Sequence, residues 1–113
     1  MEYENLVLLR VFVGEDKRHG DQPLYEAITS KAREMQLLGA TVLSGRLGFG
    51  RSTRLHTTRA LLSQDIPLVI EIADREEKIN EFLRVLNAMP EIALITLENV
   101  ESVAGHLSEN DGL

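Results

Sequence analysis

The chain has 113 residues, 43% of them hydrophobic and 27% charged, with a formal net charge of -6 and no cysteine. That length and balance fit one globular domain with a buried core, and they exclude a disordered chain, a disulfide scaffold and thiolate chemistry. Acidity together with only 4% aromatic residues speaks against a general nucleic-acid binder, which needs phosphate neutralisation and stacking surfaces.

The apolar runs Leu6 to Leu9 and Val11 to Val13 flank Arg10 and are too short to span a bilayer. The opening residues, Met1 to Asn5, are acidic where a signal peptide would be basic, so the cytoplasm is the expected compartment. A first strand is predicted over Leu6 to Val13. Val7, Leu9, Val11 and Val13 fall on one side, and Leu6, Leu8, Arg10 and Phe12 on the other. A polar loop from Gly14 to Gln22 follows. A first helix is predicted from about Pro23, capped by Asp21 or Gln22, with Leu24, Ile28, Ala32, Met35 and Leu38 as its buried stripe and Gly39 as its end.

Gly39 to Arg59 differs in character from the rest. Thr41, Val42 and Leu43 are strand formers, and Gly45, Gly48 and Gly50 then crowd into six residues. No Asp or Glu occurs between Glu34 and Asp65, yet Arg46, Arg51, Arg54 and Arg59 all fall there. A basic, glycine-rich segment in an acidic protein suits an anionic ligand, and it equally suits a solvated surface loop.

A third strand is predicted over Leu68 to Ala73, with Leu68, Ile70 and Ile72 on one side. Asp74 and Glu77 have the spacing of a capping box for a second helix that buries Ile79, Phe82, Leu83, Leu86 and Met89 and stops before Pro90. A last strand runs from about Ala93 to Val103, with Ile95 and Leu97 inward. The tail 105–113 is expected to fray, leaving a core of about 6–104 within a single domain, 1–113.

The predicted order β-α-β-β-α-β is the ferredoxin-like arrangement: an α+β fold with a four-stranded antiparallel sheet and both helices on one face. Its other face would carry Leu6, Leu8, Phe12 and Val69, too apolar to stay wet, which points to an oligomer. Arg10 and Glu71 share that face on neighbouring strands, so they are expected to pair.

Four motifs in register with these elements resemble the PII signalling family, and more closely its PII-like branch, domain-of-unknown-function family 190. They are Gly14 to Lys17, Pro23 to Glu26, Gly39 to Val42 and Gly48 to Gly50, within a likeness spanning roughly residues 6–104. The resemblance implies a homotrimer with its open sheet faces turned inward and ligand sites in the clefts between subunits. It implies an adenine nucleotide as ligand, no required cofactor, and a regulated protein partner touched by the segment of about Arg46 to Ser63. Gly48, Phe49, Gly50 and Arg51 match the base of that loop. One departure stands out: PII proteins carry a glycine- and lysine-rich phosphate loop after the second helix, where this chain has only Pro90 to Ala93.

Phosphate neutralisation would then come from elsewhere. Lys17, Arg18 and His19, before the first helix, and Arg46, Arg51 and Arg54 are the candidates, with Lys17 and His19 favoured as ligand contacts in the first group, although Glu15 and Asp16 offset Lys17 and Arg18. Glu15, Asp16 and Asp21 suit turn and cap roles better than Mg²⁺ binding or acid–base chemistry. His19, His56 and His106 form no zinc pattern, and no nucleophile–base pair or Walker-type loop supports an enzyme. Arg46 to Arg51 resembles the start of an RNA-binding motif but lacks the aromatic positions that follow it. The alternative to a nucleotide sensor is a scaffold or partner-binding trimer without a small ligand, resembling the cation-tolerance trimers.

Overall fold

In the computed structural model, which describes residues 2–45 and 66–103, the longest strand is β1 (Tyr3–Gly14), paired on both sides. It starts earlier than Leu6 because Tyr3, Glu4 and Asn5 pair with the far end of the last strand. A short hairpin follows, β2 (Arg18–His19) and β3 (Gln22–Pro23), then α1 (Leu24–Glu34), β4 (Thr41–Ser44), β5 (Pro67–Asp74), α2 (Glu76–Leu86) and β6 (Leu94–Val103). The sheet order is β4-β5-β1-β6, with every pairing antiparallel. This is the expected ferredoxin-like arrangement.

The covered face of the sheet is built by alternation. Leu9, Val11 and Val13 of β1 and Leu68, Ile70 and Ile72 of β5 are buried against Leu24, Ile28 and Ala32 of α1 and Ile79, Phe82 and Leu86 of α2. Met89 is buried too, and Leu83 packs partly against the same cluster, as the helical spacing predicts.

Several local expectations need correction. The stretch read as a plain polar loop contains the β2–β3 hairpin, whose two-residue turn opens on Gly20 at φ 64°. A positive φ at that position is what glycine supplies cheaply. Neither Asp21 nor Gln22 caps α1. Pro23 occupies the N-cap without a side-chain bond, and the Lys17 carbonyl accepts the Leu24 N–H at 2.8 Å. Backbone thus satisfies a donor that a side chain would otherwise have to meet.

The far end of α1 also differs. The helix stops at Glu34, and Gln36, not Gly39, takes the left-handed conformation at φ 62°. Gln36 N–H donates to Arg33 O and Leu37 N–H to Ala32 O, both at 3.0 Å, the bond pattern of a Schellman motif. The reversal buries Leu37 and leaves Leu38 39% exposed, so the apolar stripe ends differently from the helical extrapolation.

The capping box fails for a related reason. Asp74 is the last residue of β5, Arg75 is the N-cap of α2, and the Arg75 side chain makes no cap bond. Asp74 is nonetheless 2% exposed. Its carboxylate accepts the N–H groups of Arg75 at 2.7 Å and Leu38 at 2.9 Å, tying the α1–β4 connection to the end of β5. Leu97 lies opposite Leu9 and so on the helix side, yet it is 52% exposed, because β6 is an edge strand near the rim of the α2 footprint.

Candidate functional site

Three connections meet at one end of the sheet. β1 leaves at Gly14, opposite Pro67 where β5 begins; β4 ends at Ser44, opposite Leu68; and Ala93 N–H donates to Phe12 O at 2.9 Å just before β6. Glu15 N–H donates to Ile66 O at 2.9 Å, and Gly45 N–H to Pro67 O at 2.8 Å. Gly45 is glycine for a steric reason: a Cβ there would lie 2.9 Å from Pro67 Cγ. The chain positions from which the basic segment departs and to which it returns, Gly45 and Ile66, are therefore both fastened at this end.

Two predicted ligand residues fall among those described, and both are here. Lys17 is held through its backbone, donating N–H to Gly14 O at 3.2 Å while its carbonyl caps α1. His19, on β2, has Nδ1 3.8 Å from Glu91 Oε1. That oxygen is buried without a hydrogen-bond partner among the described residues. The hairpin thus reaches the very connection in which a phosphate loop was missed, but meets an acid there. Glu91 was not singled out from the sequence, and no local pattern marks it. Arg46, Gly48, Phe49, Gly50, Arg51 and Arg54 lie outside the described residues, as do His56, His106 and the tail 105–113.

The face away from the helices is arranged in rows. Leu43, Val69, Phe12 and Leu94 lie side by side across all four strands, next to the end where the connections meet. Leu43 is 46% and Leu94 51% exposed. The adjacent row is polar: Thr41, Glu71, Arg10 and Thr96. Arg10 Nε meets Glu71 Oε2 at 3.0 Å, the expected pair, and Arg10 Nη1 meets Glu98 Oε1 at 3.0 Å, a partner the sequence did not suggest. Donating hydrogen bonds to Glu71 first and Glu98 second raises the Arg10 pKa above its ordinary value, because both carboxylates favour the charged guanidinium. Two carboxylates against one guanidinium leave a local excess of negative charge. The Arg10 and Glu71 side chains remain 35% and 31% exposed, so in the single chain this is a half-solvated ion pair.

A concavity of about 400 Å³ lies between the last turns of α1 and the chain leading into β4, with Thr29, Arg33, Leu38, Gly39 and Ala40 among its walls. Among the described residues no three His, Asp or Glu side chains gather where they could share an ion. No helix among them is long and apolar enough to cross a membrane.

Comparison with known proteins supplies the context for this geometry. A UPF0166 protein from Aquifex aeolicus (strain VF5) is 37% identical over 97 residues, covering 85% of this chain and 91% of the relative. Among solved structures, a candidate PII-like signaling protein (TTHA0516) from Thermus thermophilus superposes with a TM-score of 0.64 at 19% identity, covering 93% of this chain and 96% of the other. CPII, a nitrogen regulatory PII-like protein from Thiomonas intermedia K12 solved with ADP, AMP and bicarbonate, gives 0.66 at 13% identity, covering 90% and 97%. At such identities the structures establish a shared fold. The family model that matches residues 6–102 is DUF190, described as an uncharacterised ACR, and the chain belongs to that family, with a PII-like fold.

Proposed function

We propose that this protein is a PII-like regulator that binds an adenine nucleotide in clefts between the subunits of a homotrimer. In this reading it is not an enzyme. It signals to a protein partner in the cytoplasm through the segment between β4 and β5. The observation that carries the reading is the fastening at Gly45 and Ile66 of a segment rich in glycine and arginine, on a fold whose relative CPII was solved with ADP and AMP. Arg46, Arg51 and Arg54 would offer positive charge to the phosphates, and Gly48 and Gly50 would allow the backbone close to the ligand. Phe49 would pack against it. Lys17 and His19 would join from the hairpin at the same end of the sheet. The apolar row Leu43, Val69, Phe12 and Leu94 favours an assembly that covers the open face.

The competing reading is a partner-binding trimer without a nucleotide. It is favoured by Glu91, which puts a carboxylate beside His19 in the connection where PII proteins neutralise phosphate. Calorimetry with ADP, AMP and ATP separates the two. The nucleotide reading expects saturable binding that salt weakens and that Arg51→Glu weakens about tenfold, or about 1.4 kcal/mol. Equal binding by the variant would move the site away from the basic segment, and no binding by the native protein would favour the scaffold.

A further inference from the structure

β4 and β6 bound the sheet on its two sides, and each pairs with one neighbour only. Among the described residues, four of the six exposed large apolar side chains lie on these two strands. Val42 and Leu97 are on the helix side, opposite Ile70 and Leu9; Leu43 and Leu94 are on the open side, opposite Val69 and Phe12. A strand that is apolar on both faces has the composition of an interior strand. An edge that stays free is normally blunted by charge or proline. Thr41 to Ser44 and Leu94 to Leu97 carry neither, and charge enters β6 only from Glu98 onward.

The two edges also fit each other. β4 is antiparallel to β5, β5 to β1 and β1 to β6, so β4 and β6 point in opposite directions. A second copy, turned about an axis along the strands, therefore brings its β4 to this β6 as an antiparallel partner. When the rows of the sheet continue across the join, Thr41 meets Thr96, Val42 meets Ile95 and Leu43 meets Leu94, each like with like. The backbone is in phase as well. Gly45 N–H donates to Pro67 O, so the alternation of an antiparallel ladder turns the N–H and C=O of Val42 and Ser44 outward. Carried across β5 and β1, the same alternation turns those of Ile95 and Leu97 outward on β6. Val42 of one copy then faces Ile95 of the next with donors opposite acceptors. Pairing β6 with a second β6 would leave β4 wet.

We infer that the occupant of both edges is a second copy of this chain, β4 of each copy adding to β6 of the next until the ring closes. A head-to-tail contact of this kind leaves no free edge only when it closes. The inference rests on the homotrimer reading and deepens it by naming the seam. The same register sets Gly45 of one copy beside Ile92 of the next, so the end of the sheet where the connections meet runs on from copy to copy.

The chain has no cysteine, so an added pair reports this seam alone. In Thr41→Cys/Thr96→Cys the two positions of one chain lie on opposite edges, three strand spacings or about 14 Å apart, too far for a disulfide. Across the seam their Cα atoms would be about 4.5 Å apart, within reach of one. Mild oxidation should give a covalent three-chain species that neither single variant gives. Ser44→Pro is the second probe, since it removes an outward N–H and no bond to β5. Native-like circular dichroism is expected, with sedimentation reduced from three chains to one. Three-chain sedimentation without a cross-link, or a three-chain Ser44→Pro, overturns the seam and leaves the homotrimer in place with its edges free for another protein. Cross-linked ladders longer than three chains overturn the closed ring. A native protein that sediments as a single chain overturns the homotrimer first and the seam with it.

Discussion

The two faces of the one sheet came from the same alternating strands and reached different ends. On the helix side, Leu9, Val11, Val13, Leu68, Ile70 and Ile72 are covered by α1 and α2 until little or no surface remains. On the other side, a row of four apolar side chains lies beside a row built around Arg10, Glu71 and Glu98, and its outer members stay about half exposed. The covered face is complete within one chain. The open face has the composition of an interface, with aliphatic contact area and a charge cluster whose strength depends on how far water is excluded.

The sharpest way to test that division is to damage each side separately. Phe82 is fully buried under the sheet, and Phe82→Ala should cost about 3–5 kcal/mol by urea unfolding, because lost transfer energy and a residual cavity add together. Such a loss takes a large part of an ordinary domain's stability. Leu94→Asp on the open face should behave otherwise. Leu94 is already half exposed in the single chain, so the fold should survive with near-native circular dichroism, while sedimentation of the proposed homotrimer should fall from three times the 12.7 kDa chain mass to one. Unchanged sedimentation would show that this face is not the covered surface of an assembly.

The smallest expected effect concerns the turn that feeds the edge strand. Gln36 holds a left-handed backbone that glycine adopts without a Cβ clash, so Gln36→Gly should raise stability by up to about 1 kcal/mol, a melting-temperature rise of a few degrees. A loss would mean that the Gln36 side chain contributes more than its backbone strain costs.

Alternation and helical spacing were legible because they are local consequences of which residues burial selects. They foretold the strands around Leu9 and Ile70, the α2 stripe from Ile79 to Leu86, and the pairing of Arg10 with Glu71, which needed only a shared face and adjacent strands. The site was less legible. The glycine and arginine pattern from Gly45 onward marked a region, while the contact of His19 with Glu91 joins two connections remote in sequence.

The amino-acid sequence by itself determined the order of elements and the apolar face of each, since hydrophobic period and β-forming or helix-forming preference act over a few residues. Tertiary structure decided the ends. Asp74 has the spacing of a helix cap, yet its carboxylate serves Leu38, because the strand carries one residue further and brings a distant N–H within reach. Gln36 reverses the chain where Gly39 looked better suited, because burying Leu37 and closing the Schellman bonds outweigh a modest backbone cost. Leu97 is apolar and faces the helix side, but an edge strand beyond the helices leaves it wet. In each case the outcome turned on a neighbour far away in the chain, which no local pattern can see.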